Sequence, residues 1–314
     1  MSWIQNNISG VGKLLLFGVN MTEAVESIKP IDIGFERTCD CPPSHINCLN
    51  AKEWIKSQIT IQTFYYEGRD VRDKDVHPAV FPIALPAHFI KLFTHKGELV
   101  LDPFVGIGTT LIAARDLERN AVGFDLKREY IEYSKKRLAQ TSLTANSEQV
   151  LINDDALNIP QYLKPETVSL CITSPPYANM LNHKRLNKSI RGDLRNNKHY
   201  LKIQQYSLDP KDLGQMDHNQ YSQTLTKIYK GIYPLMKPQG HVVVNVNDVW
   251  EDNKRHPTHT YVIDALEKAG FEFRNTMIWD KRDLVNKVGI FGWPSNFITL
   301  GATMEFVLHF RKPD

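Results

Sequence analysis

No stretch of this 314-residue chain approaches the roughly 18 consecutive apolar residues that a membrane-spanning helix requires. The longest N-terminal apolar patch, Leu14 to Val19, is short and is followed by no small-residue cleavage pattern, so residues 1–20 read as ordinary chain and not as a signal peptide. Cysteine is scarce too. Four residues, three of them clustered, cannot build the disulfide framework of a small secreted domain, and a cytoplasmic protein is expected. Neither sign of charge dominates: 38 basic residues stand against 35 acidic ones, a net charge of +3. A nucleic-acid partner is permitted by that balance, but any basic surface must then be local.

The clustered cysteines lie in Cys39-Asp-Cys41-Pro-Pro-Ser-His45-Ile-Asn-Cys48. Three thiols and an imidazole at this density could close a tetrahedral zinc site. The spacing matches no standard finger, however, because C-x-C replaces the usual C-x2-C and no second pair follows. A proline-kinked loop with ordinary buried cysteines is the expectation, and no metal site is assigned.

What is present is a strand, a glycine turn and a helix start in Glu98 to Thr110, ELVLDPFVGIGTT. Leu99 to Leu101 suit a strand buried on both faces. Asp102, Pro103 and Phe104 end it, Gly106 and Gly108 turn the chain, and Thr109 and Thr110 are placed to cap the following helix. Backbone can approach a ligand closely at such a turn. A second short strand ends at Asp125, about 20 residues past the turn, where an acid can hold ribose hydroxyls. Asp125 can equally cap the helix that follows it. The alternation continues: a strand at 149–152 runs into Asp154 and Asp155, and a strand at 167–173 runs into Ser174-Pro175-Pro176-Tyr177. Helices are predicted at 84–93, 222–236 and 258–269, and strands at 241–246, 271–279 and 305–310, the last two as an antiparallel edge pair. This order predicts an α/β fold: one mostly parallel, doubly wound sheet with an antiparallel edge, plus an N-terminal extension. Asp102, Asp125, Asp154, Asp155 and Ser174 would then gather at the carboxyl ends of the strands and line one cleft.

DPFVGIGTT and TSPPY together resemble the amino-group DNA methyltransferases, which move a methyl from S-adenosyl-L-methionine to an exocyclic base nitrogen. The resemblance covers about residues 76–314 and implies a Rossmann-like methyltransferase domain there. Residues 1–75 form an extension whose role the motifs leave open. It further implies that His77, Pro78 and Phe81, with Asp102, Pro103, Phe104, Gly106, Gly108, Thr109 and Thr110, hold the methionine end of the cofactor. Asp125 would hold the ribose, Asp154 and Asp155 would lie beside the adenine, and Ser174 to Tyr177 would be the catalytic element. The cofactor motifs precede the catalytic one, as in a permuted arrangement of the family.

The tetrapeptide has a chemical logic of its own. An exocyclic amine is a poor nucleophile while its lone pair is delocalised into the ring. Acceptors on its two N–H groups, here the Ser174 hydroxyl and the Pro175 carbonyl, favour a pyramidal nitrogen. The Pro175-Pro176 step fixes the carbonyl's direction, and Tyr177 offers a face for a base swung out of the duplex. A serine at the first position resembles the cytosine-N4 members, whereas Asp or Asn is typical of adenine-N6 members, so cytosine N4 is favoured and adenine N6 is the alternative. The cytosine-C5 reaction is set aside because no Pro-Cys pair exists.

Double-stranded DNA is the expected partner. Within residues 183–202, Lys184, Arg185, Lys188, Arg191, Arg195, Lys198 and Lys202 stand against the single Asp193, a run suited to phosphates in an insertion at about 178–218. Trp293 in GIFGWPSN is a further candidate for DNA contact. A separately acting cognate restriction endonuclease is the implied biological setting. RNA or protein-amide methylation, or a catalytically idle nucleic-acid-binding protein, are the readings from other classes.

Overall fold

The computed structural model describes residues 30–71, 80–140, 146–178, 209–251, 254–284, 292–293, 297–298 and 302–314. His77, Pro78 and the basic run from Lys184 to Lys202 lie outside the described residues.

In chain order the strands are β1 (Ile61–Gln62), β2 (Leu99–Asp102), β3 (Asn120–Phe124), β4 (Gln149–Ile152), β5 (Val168–Thr173), β6 (Met236–Val246), β7 (Val249–Glu251), β8 (Lys254–His256), β9 (Glu272–Asp280), β10 (Gly292–Trp293), β11 (Phe297–Ile298) and β12 (Met304–Arg311). The helices are α1 (Ala51–Ser57), α2 (Gly68–Val71), α3 (Ala84–Phe93), α4 (Thr109–Asp116), α5 (Arg128–Ala139), α6 (His218–Ile232) and α7 (Thr258–Ala269). Eight strands form one sheet in the order β1-β9-β12-β6-β5-β2-β3-β4. From β6 to β4 all neighbours are parallel, and β12 runs antiparallel to both β6 and β9. The two C-terminal runs therefore pair antiparallel as expected, but β1 adds a parallel strand outside β9.

Side-chain alternation explains why both faces are covered. Leu99, Leu101, Val122 and Phe124 point into one core, against Leu225, Ile228 and Ile232 of α6 and Val262 and Leu266 of α7. Val100, Ala121, Leu170 and Ile172 point into the other, against Phe89 and Ile90 of α3 and Leu111 and Ile112 of α4. Such doubly covered strands read as near-continuous apolar runs, and LVLD and VSLCIT are buried at every position. Cys171, inside β5, is fully buried, and burial pushes its thiol well up.

Among the described residues, Ile61 and Gln62 supply the only paired strand adjoining the aromatic stretch TFYYE. Phe64 is 5% exposed, edge-on to the buried Trp279 with ring centres 6.4 Å apart, and so belongs to the core. The described part of the N-terminal extension is thus packed on the domain. Cys39, Cys41 and Cys48 depart from the expectation of ordinary buried cysteines: each is only partly buried.

Candidate active site

Strands β2, β3 and β4 succeed one another on one side of the β2/β5 boundary, and β5 and β6 lie on the other. The direction of winding reverses at that boundary, and ligands of such sheets bind there, outside the carboxyl ends of the strands. A cleft of about 950 Å³, counting its open mouth, occupies this place. Its walls are Pro103 to Ile107 after β2, Asp125 to Lys127 after β3, Asp154 to Ala156 after β4, and Ser174 to Pro176 after β5. Phe81 and Thr109 also line it.

Asp102 is set back from this cleft. It is 1% exposed and accepts hydrogen bonds from Thr110 Oγ1 (2.6 Å), Thr173 Oγ1 (2.6 Å) and the Phe104 amide (3.1 Å). Burial pushes its carboxyl up to about 6, against the pull of those three donors. Asp102 therefore ties the end of β5 and the first turn of α4 to the glycine turn. Thr110 serves that tie rather than the predicted helix cap. The N-cap of α4 is Gly108, at φ +83°, where a Cβ would also sit 3.0 Å from Ser134. Ser134 and Arg137 of α5 fasten the turn from outside, donating to the carbonyls of Gly106 (2.9 Å) and Ile107 (2.6 Å).

Asp125 opens onto the cleft. Its two oxygens accept from the amides of Gly106 and Lys127, each at 2.9 Å, while Lys127, not Asp125, is the N-cap of α5. Burial raises its carboxyl to about 7, with the charges of Asp102 and Asp212 adding to the rise. Asp154 behaves oppositely. Burial would raise it, but donors from Asn158, Tyr162 and the Asp155 amide hold it below the usual range. Asp155 caps the short 3-10 turn that follows, accepting from the Leu157 amide at 3.0 Å.

Of the tetrapeptide, Ser174, Pro175 and Pro176 line the cleft. Tyr177 is 7% exposed, packed in the core, and is not among the described residues that line the cleft. Gly108, Asp102 and Thr110 shape the turn from behind. Trp293 lies in β10, paired antiparallel with β11. Sequence reasoning missed Lys127, Tyr130, Lys211, Asp212, Leu213, Thr224 and Ile228, which complete the walls. Asp212 carries a local signal, because it caps a 3-10 turn through the Gly214 amide.

The chain matches the family model described as DNA methylase over residues 43–136 and 168–314. It belongs to the N6/N4 DNA methylase family. The match begins earlier than the motif resemblance did, within the N-terminal extension. Among characterised relatives, it is 42% identical to the type II methyltransferase M.BglI of Bacillus subtilis over 108 residues, 34% of this chain and 30% of that protein. It is 40% identical to the type II methyltransferase M.HpaI of Haemophilus parainfluenzae over 67 residues, 21% of each. The aligned stretches thus span less than a third of those relatives' lengths. Among solved structures, TrmN from Thermus thermophilus superposes with a TM-score of 0.47 at 16% identity, covering 77% of this chain and 53% of that one. S-adenosyl-L-methionine is the cofactor of this family of methyltransferases.

The cleft suits that cofactor chemically. Among the described residues on its walls, Asp125, Asp154, Asp155 and Asp212 outnumber Lys127 and Lys211, which suits a cationic ligand. Phe81, Phe104, Leu126 and Ala156 supply apolar surface for a flat ring. A carboxylate has about four acceptor positions, and two amides leave Asp125 capacity for hydroxyl donors. Among the described residues no helix is long and apolar enough to cross a membrane.

Proposed function

We propose that this protein is a site-specific DNA methyltransferase that transfers a methyl from S-adenosyl-L-methionine to the N4 amino group of cytosine in duplex DNA, in a restriction–modification setting. The observation that carries the proposal is the meeting of Ser174-Pro175-Pro176 with Asp125, Phe104 and Phe81 on one acid-rich cleft. The cofactor supplies an activated methyl on a sulfonium that leaves as a neutral thioether. Phe81, Phe104, Asp125, Asp154 and Asp155 hold and orient it. Ser174 and the Pro175 carbonyl accept the two amine N–H groups, so the nitrogen lone pair turns out of the base plane, and the methylated amine then loses one of these protons to solvent. No covalent bond to the protein is needed, and positioning with electrostatics accounts for the catalysis. The target base must leave the duplex to reach this depth. Lys184 to Lys202 hold the phosphates.

Serine favours cytosine because a hydroxyl donates as well as accepts and so tolerates ring acceptors that a carboxylate repels. The test is methyl transfer to mixed-sequence duplex DNA followed by mass spectrometry of the nucleosides, with N4-methylcytosine expected. N6-methyladenine would retain the mechanism and overturn the choice of base. Labelled cofactor bound with no methylated nucleoside would overturn DNA as the substrate.

A further inference from the structure

The cysteine cluster set aside in the sequence is completed by a residue far from it in the chain. Cys39, Cys41 and Cys48 converge with His95, which follows the C-terminal end of α3, and their four ligand atoms all lie within 4.8 Å of one another. The Sγ atoms of Cys39 and Cys41 are 3.3 Å apart and those of Cys39 and Cys48 are 3.5 Å apart. His95 Nδ1 is 3.4 Å from Cys39 Sγ and 3.8 Å from Cys48 Sγ. Zinc bonds of about 2.3 Å to sulfur and 2.0 Å to nitrogen, at tetrahedral angles, place sulfurs about 3.8 Å apart and sulfur and nitrogen about 3.5 Å apart. The four separations given lie within about 0.5 Å of those of a zinc tetrahedron. None of the cysteines is paired in a disulfide, whose bond of about 2.05 Å is far shorter.

We propose that Cys39, Cys41, Cys48 and His95 bind one zinc ion in a closed structural site that fastens the N-terminal segment to the catalytic domain. Soft thiolates with one imidazole in tetrahedral array select zinc among the common divalent ions. Four protein ligands leave no open position, which separates a structural site from a catalytic one. Three thiolates leave the filled site with one negative charge. Arg37 sits beside it, donating to the carbonyls of Cys39 (2.7 Å) and Cys41 (3.3 Å), and its guanidinium offsets that charge.

Both ligand-bearing segments are held in place by the protein itself. The Thr38 amide donates to the Lys96 carbonyl at 2.8 Å, which sets Cys39 opposite His95. Gly97 permits this approach: at φ +83°, a Cβ there would meet Glu36 O and Thr38 Cγ2 at 2.5 Å. A bridge between Ile46 and Leu49 presents Cys48, and Asn47 donates to the Leu92 carbonyl near the end of α3. Farther along, Asn120 Nδ2 donates to Gly34 O (2.8 Å) and Gly97 O (2.9 Å), and Lys237 Nζ bridges Phe35 O (2.9 Å) and Glu98 Oε1 (3.0 Å). His45, the imidazole that the local sequence suggests, lines the adjoining surface cleft and does not join the convergent set. His95 escapes a local search because 47 residues separate it from Cys48.

The site does not depend on the methyltransferase reading, and its test needs no activity. Full-length protein, purified under reducing conditions without chelator, is analysed for metal by elemental mass spectrometry. About one zinc per chain is expected. Cys39→Ser with Cys48→Ser should abolish it, His95→Ala should lower retention at least tenfold on dialysis, and His45→Ala should retain full occupancy. If the cysteine variants fail to fold, the wild type decides. A mercurial thiol reagent should release the zinc into a colorimetric chelator in step with modification of three thiols, and chelation should raise hydrogen exchange at 36–49 and 94–97. Folded wild type without zinc, a mass deficit showing a disulfide among these cysteines, or undiminished zinc in the double variant would overturn the proposal.

Discussion

Asp102 and Asp125 stand at the ends of adjacent strands, and burial raises both, to about 6 and about 7, yet they face different tasks. Asp125 touches the cleft, and its unshared acceptor positions are what a ribose would use. Below pH 7 the raised carboxyl takes a proton and loses acceptor capacity and charge. Cofactor affinity should therefore fall as pH drops through about 7 and level off above it. Calorimetric titration across pH 5.5–8.5 reads this directly, and Asp125→Asn should bind about tenfold more weakly with a flat profile. A pH-dependent Asp125→Asn would move the titration to another group. Ser174 separates from Asp125 by its kinetics. Ser174→Ala removes one acceptor for the amine and should lower turnover about 100-fold with cofactor affinity unchanged. An equal loss in cofactor binding would make Ser174 a binding residue.

At the scale of elements, the turn between β2 and α4 is braced from behind the cleft wall by Asp102, Thr110 and Thr173. Thr110 and Thr173 both donate to the buried Asp102, so Thr110→Val leaves a carboxylate one donor short. That should cost about 1–2 kcal/mol in denaturant unfolding, and a stability equal to wild type would show that the tie carries no weight. Much of this architecture was legible in the sequence, because strands buried on both faces appear as short apolar runs and α7 ends at a glycine in the left-handed region, Gly270. The cleft's floor was legible for the same reason, since its acids directly follow those runs. What was not legible depended on contacts distant in the chain. Nothing local to YSKKRL marks Ser134 and Arg137 as clamps on the glycine turn, and nothing local to SPPY shows that Tyr177 packs inward. Lys211 to Leu213 reach the cleft from the C-terminal part of the insertion at about 178–218, where no periodicity points to it.

For the whole molecule, a net charge of +3 over 314 residues is too small to bind a polyanion by itself, and the cleft is acid-rich. If duplex DNA is the substrate, as proposed, its affinity must come from a local concentration of cations, and the run from Lys184 to Lys202 offers one. Each phosphate contact releases a counterion, so the slope of log affinity against log salt counts contacts at about 0.9 per phosphate. Replacing Lys184, Arg185, Lys188 and Arg191 by glutamine should weaken duplex binding and lower that slope by about 3, if most of the four touch phosphate. The cofactor titration is the control and should stay unchanged if these residues act on DNA alone. Fluorescence anisotropy with one labelled duplex at several salt concentrations measures both quantities. A slope equal to wild type, whatever the affinity, would return this run to solvent and move the phosphate contacts elsewhere on the surface.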